Sequence, residues 1–182
     1  MPSREALVIC ARSIAHSYKG VQPDSSFPSW ETLKAIYDQA MAIPPDWAIH
    51  NGANLTALKQ GRWLRKDGVP GGTTDKELGI SWCGIFQTYV LQCCGIPVKW
   101  QTYAGITPRE PYLEKLSGFG NWADIRRGDI CIRDDNQHHF LVYARSGDQL
   151  SSYDGNLDGQ RIGEPLFTTP VRKVHTILRP RF

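Results

Sequence analysis

Apolar positions along the chain change their period near residue 100. Before it they recur every three or four residues, the spacing of one helix face. After it they fall in short runs of strand character. Leu7, Cys10 and Ile14 predict a first helix with Ser3 as its N-cap, ended by Gly20 and Pro23. Leu33, Ile36, Tyr37, Ala40 and Met41 predict a second. Ser29 opens it, and Pro44 and Pro45 stop it because proline cannot donate to a continuing ladder. A weaker helix is expected over roughly 52–65, followed by a loop over 66–74 rich in turn formers. Phe86, Tyr89, Val90 and Cys93 predict a further helix with Ser81 as N-cap and Gly95 at the C′ position. Pro97 forbids its continuation.

Strands are expected at 129–133, 140–144 and 149–153, with turns at Asp134-Asp135-Asn136 and Ser146-Gly147-Asp148. A last strand is expected from Val171 to Leu178. Helices first and strands second predict an α+β domain with a small antiparallel sheet.

Composition narrows the class. A length of 182 residues fits one domain with a sizeable core. Hydrophobic residues at 41% and charged residues at 21% indicate a globular chain rather than a disordered one. The net charge of +3 suits an anionic polymer and falls far short of a polybasic arm, so no nucleic-acid partner is expected. No run of about 18 apolar residues occurs, so no membrane span is expected. The apolar stretch from Ala6 to Ala11 is broken by Arg12, too early for a secretory signal. Cytoplasmic synthesis without a signal peptide is therefore expected.

The five cysteines are Cys10, Cys83, Cys93, Cys94 and Cys131. Their odd number leaves a thiol unpaired in a monomer, and the lack of a CxxC pair argues against structural zinc. Most are expected to be buried and inert. Cys83 differs by position. In the first turn of a helix, unpaired N–H groups and the positive dipole end favour a thiolate. Gly84 beside it leaves room for a substrate to approach, and Trp82 is a candidate contact. A nucleophilic thiol needs a base, and the base an orienting group. His138 and His139 open one strand, and Asp154 and Asn156 close the next. Antiparallel pairing brings those ends together. Spacing to Asn156 favours His138 as the base, whereas strand alternation favours His139. His16, His50 and His175 are scattered, and Asp24, Asp46 and Asp67 sit in turn-like contexts; none needs a catalytic role.

The segment Trp82-Cys83-Gly84-Ile85-Phe86, closed by Cys93-Cys94-Gly95-Ile96, resembles the CHAP and NlpC/P60 group of papain-like cysteine peptidases and amidases. Arg127-Gly128-Asp129-Ile130 is similar to the group's glycine-aspartate lead into its first core strand. The two histidines, with Asp154-Gly155-Asn156, are similar to its later motifs. The resemblance covers roughly residues 80–160; residues 1–75 match only in being helical. Gly84 and Ile85 depart from the small alanines usual there. Phe140 or Leu141 stands where a small residue usually follows the histidine.

The resemblance implies a papain-like fold and a single catalytic domain over 1–182. It implies a cysteine peptidase or amidase cutting amide bonds of peptidoglycan stem peptides. Cys83, His138 and Asn156 would form the triad, with His139 the alternative base. The Cys83 backbone would serve the oxyanion, and Trp82 and Gly84 the substrate. No metal or cofactor is implied. The compact layout also resembles the type VI secretion amidase effectors, antibacterial toxins that act in the periplasm of a target cell. That would imply secretion machinery and a cognate immunity protein as partners. Competing expectations are a phage lysin of the same chemistry, a papain-like protease or deamidase toxin, and a non-catalytic binding module with Cys83 in its core.

Overall fold

A computed structural model describes residues 3–21, 29–41, 82–101, 104–133, 138–157, 161–163 and 168–182. The helix expected over 52–65, the loop at 66–74, the Ser81 cap and the turn at 134–136 lie outside these residues. So do Asp24, Asp46, Asp67, His50, Pro23, Pro44 and Pro45.

Within them the chain is a mixed α+β protein with three helices and antiparallel sheets. Helix α1 is Arg4–Ser17, and the Ser3 hydroxyl accepts from the Ala6 N–H as its cap. Its buried stripe is Leu7, Val8, Ala11 and Ala15. Helix α2 is Ser29–Ala40, and Leu33, Ile36, Tyr37 and Ala40 on its expected stripe are all buried.

Helix α3 is Trp82–Cys93. Its termination follows the Schellman pattern: Ile96 N–H donates to Leu91 C=O, Gly95 N–H to Gln92 C=O, and Gly95 takes φ +80. The expected one-sided stripe on α3 is corrected. Phe86 and Val90 are buried, but so are Ile85, Gln87, Thr88 and Leu91, whereas Cys93 is exposed. The helix is enclosed on most sides, so its burial does not follow a single face.

Strands β1 (Lys99–Gln101) and β2 (Gly105–Thr107) form a two-stranded sheet of their own. The remaining strands are β3 (Leu113–Ser117), β4 (Ile130–Arg133), β5 (His139–Ser146), β6 (Gln149–Leu157), β7 (Arg161–Gly163), β8 (Thr168–Pro170) and β9 (Val174–Pro180). They make one antiparallel sheet in the order β3-β9-β4-β5-β6-β7, with β8 on β6. The last strand, expected from Val171, begins at Val174 after a short 3₁₀ turn over Val171–Lys173.

Register divides the sheet into two faces. Ile130, Leu141, Tyr153 and Leu178 stand opposite one another along the ladders and pack with the helices. Cys131, Phe140 and Ile177 stand on the other face, with Val142, Leu150 and Val174. Among the described residues no helix is long and apolar enough to cross a membrane.

The Gly128-Asp129 pair explains how α1 joins the sheet. The buried Asp129 carboxylate accepts from Arg179 Nε at 3.1 Å and Nη2 at 2.9 Å, from Arg4 Nη1 at 3.0 Å, and from the Arg126 N–H at 2.9 Å. This fixes the start of β4 to β9 and to the first turn of α1. Gly128 has φ +84, and a Cβ there would crowd the Arg4 side chain.

Candidate active site

Cys83 is the second residue of α3 and is completely buried. The helix points its N-terminus at the beginning of β5. There the His139 N–H donates to the Cys83 Sγ at 3.4 Å, and His139 Nδ1 lies 3.8 Å from the same sulfur. His138 is also in hydrogen-bonding contact with the thiol. Both histidines therefore reach Cys83, although strand alternation alone would bring only one.

The Asp154 carboxylate completes the set. Asp154 is opposite Phe140 in the β5–β6 ladder, two residues from His138 and on the same face. Its Oδ2 stands 3.3 Å from His138 Nε2, with both side chains buried. The sequence offered Asn156 and Asp154 as orienting groups. The structure brings Asp154 to His138. Asn156 is in β6 by its backbone, and its side chain lies outside the described residues. The Trp82 side chain lies outside them as well.

Electrostatics separates Cys83 from an ordinary core cysteine. Burial raises the pKa of Cys83, but hydrogen bonds and charge from His138 and His139 outweigh it and hold the thiol well below its usual value. Cys131 is equally buried and shows the opposite result. Burial, then the charge of Asp129, pushes its thiol well up. Burial lowers the His138 pKa, but Asp154 and Cys83 overcome this and raise it to about 9. Both shifts favour the charged forms of Cys83 and His138, and the Asp154 carboxylate stands beside the ring.

Surrounding contacts hold this arrangement. Gln87, one turn after Cys83, donates through Nε2 to the Tyr153 C=O at 2.9 Å, tying α3 to β6 beside Asp154. Tyr37 of α2 is buried near the thiol; burial, then the charge of Cys83, raises its pKa well above the usual tyrosine range. The Trp100 indole meets the His139 ring edge-on, with centroids 5.3 Å apart and planes at 80°. Trp100 also accounts for Gly84: a Cβ there would overlap the indole at Cζ3 and Cη2. The space expected beside Gly84 for substrate is filled by Trp100. Sequence reading did not single out Trp100 or Gln87, because neither carries a spacing signal of its own.

The other chemistry-bearing residues lie apart from this cluster. His16 is exposed on α1. His175 is exposed on β9, where its ring meets Phe119 and its Nδ1 contacts Thr176. Cys10 touches Cys94, and Cys93 touches Gln39 and Tyr89. All five cysteines are free thiols.

The site and fold define an α+β protein with a buried cysteine, paired histidines and a carboxylate at a helix–strand junction. No family model, curated protein or solved structure matches the chain.

Proposed function

We propose that the chain is a cysteine-dependent amide hydrolase with a papain-like arrangement of its site, acting on peptidoglycan stem peptides. The observation that carries this reading is the gathering of the Cys83 thiol, the His139 ring at 3.8 Å from it, and His138, whose Nε2 stands 3.3 Å from Asp154 Oδ2. Nucleophile, base and orienting carboxylate then stand in the order acyl transfer requires.

The Cys83 thiolate attacks an amide carbonyl carbon. Backbone N–H groups at the start of α3, including that of Cys83, stabilise the developing oxyanion, because the first helical turn leaves its donors unpaired. The His138 imidazolium gives its proton to the leaving amine. It then takes a proton from the water that hydrolyses the thioester. Asp154 fixes the ring and balances its charge. His139 supplies a main-chain N–H to the sulfur and packs against Trp100.

The substrate class rests on the resemblance of residues 80–160 to the CHAP and NlpC/P60 group, and the mildly basic charge suits an anionic wall polymer. The setting proposed with it is that of an effector toxin delivered into a target cell's periplasm. An immunity protein would guard the producing cell.

The test is mass spectrometry of purified sacculi digested with wild-type protein and with Cys83→Ala. Muropeptides released by the wild type alone support the reading. Equal release by Cys83→Ala overturns the mechanism. No release by either overturns the substrate and directs the search to protein amides.

A further inference from the structure

The Cys83 thiol has no exposed surface, so a substrate must displace or skirt a neighbouring group to reach it. Trp100 is the described residue best placed to decide what gets through. Its indole lies against Gly84, the residue directly after the thiol, so closely that even a methyl group at 84 would overlap the ring. A Cβ on Gly105 of β2 would come within 3.9 Å of Cζ3, so a second glycine borders the same ring. The indole also abuts the His139 imidazole. Three parts of the site therefore meet on one side chain: the nucleophile's helix turn, the histidine strand and the β1–β2 hairpin.

The mounting of Trp100 also matters. Strand β1 pairs only with β2 among the described strands, through Lys99↔Thr107, Trp100↔Ile106 and Gln101↔Gly105. A single bridge joins Trp100 to Met41 at the end of α2. The hairpin is not part of the large sheet that holds His139 and Asp154. Trp100 can therefore shift without breaking the ladder that carries the base.

We infer that Trp100 is the specificity-determining wall of the site, limiting attack by Cys83 to acyl groups that present no side chain toward Gly84, such as glycyl residues. A side chain directed at Gly84 would meet the indole, where no space remains for one carbon. The inference rests on Cys83 being the reacting group, and it deepens the proposed hydrolase by naming the acyl side it accepts.

The test measures alkylation of Cys83 directly and does not depend on hydrolysis. Intact protein is treated with iodoacetamide or with the bulkier N-phenylmaleimide, and the rate at each cysteine is followed by peptide mass spectrometry. Wild type, Trp100→Ala and Trp100→Leu are compared, with exposed Cys93 as internal reference. In the wild type, the iodoacetamide-to-maleimide rate ratio at Cys83 should exceed that at Cys93. Trp100→Ala should lower the Cys83 ratio about tenfold or more, with the Cys93 ratio unchanged. Trp100→Leu, which keeps an apolar side chain in the slot, should give an intermediate value and covers the case in which the alanine variant does not fold. A Cys83 ratio unmoved in either folded variant overturns the inference, as does a parallel change at Cys93. Failure of the hydrolase reading would show instead as muropeptide release by Cys83→Ala, a separate measurement.

Discussion

Asp154 reaches His138 across the β5–β6 ladder at 3.3 Å, although its partner in register is Phe140. The contact is diagonal, and it draws the ring toward a carboxylate with almost no access to water. A buried carboxylate is costly unless a cation answers it, so the pair favours a protonated His138.

The two histidines should therefore respond differently to substitution. His138→Ala removes the partner of Asp154 and should lower kcat about 10³-fold or more, as loss of a triad base does. Asp154→Asn should cost about 10²–10⁴-fold, mainly in kcat. His139→Ala keeps the main-chain N–H that faces the sulfur, and should cost less than either. Steady-state kinetics on muropeptide substrates checks the ranking. A His139→Ala loss exceeding that of His138→Ala would reassign the base.

The pH profile carries a sign. His138 is raised to about 9 from its ordinary 6.5, and Cys83 is lowered. The thiolate–imidazolium pair should thus persist through neutrality, and activity should fall as pH rises through about 9. For stability, a histidine raised on folding contributes fully below about 6.5, and its contribution is lost as pH climbs through about 9. Alkylation at pH 6 should mark Cys83 ahead of Cys93, whose pKa is raised chiefly by burial. Iodoacetamide rates per cysteine between pH 5 and 10 check this.

Asp129 is expected to matter for stability and not for chemistry. Asp129→Ala leaves the Arg179 guanidinium without its two short contacts in a largely buried place. Loss of one partner of such a pair costs about 3–5 kcal/mol. Urea denaturation followed by circular dichroism should show the loss. Per-molecule activity of the remaining folded protein should be nearly unchanged.

Gly84→Ala should destabilise the protein by about 1–3 kcal/mol through overpacking, because the new methyl group displaces Trp100. Thermal unfolding measures the cost, and a structure of the variant should show the indole moved from α3.

Much of this architecture was legible in the sequence, for identifiable reasons. The Ser3 cap, the α2 stripe and the Gly95 terminus follow from local rules, and the structure shows each. The histidine strand and the Gly147 turn follow likewise from alternation and turn chemistry. Strands β1, β2, β7 and β8 were not legible, because three residues carry too little periodicity, and β3 was missed as well. The split of α3 burial was hidden for a related reason: a helix enclosed on several sides loses its stripe. Cys83 and the two histidines could be proposed from position alone. The contact of Asp154 with His138 needed the diagonal geometry between strands, which spacing does not report, and the Asn156 side chain lies outside the described residues. Trp100 was invisible because its importance comes from its close packing against Gly84, which no spacing rule links to it.

Strand order has a consequence for how the chain becomes competent. Strand β9 lies between β3 and β4, so β3 has no place in the sheet until residues 174–180 are available. A chain under synthesis carries Cys83, His138 and Asp154 before it carries the strand that joins the two parts of the platform. Cys83 is made early, but the sheet that carries His138 and Asp154 is completed late.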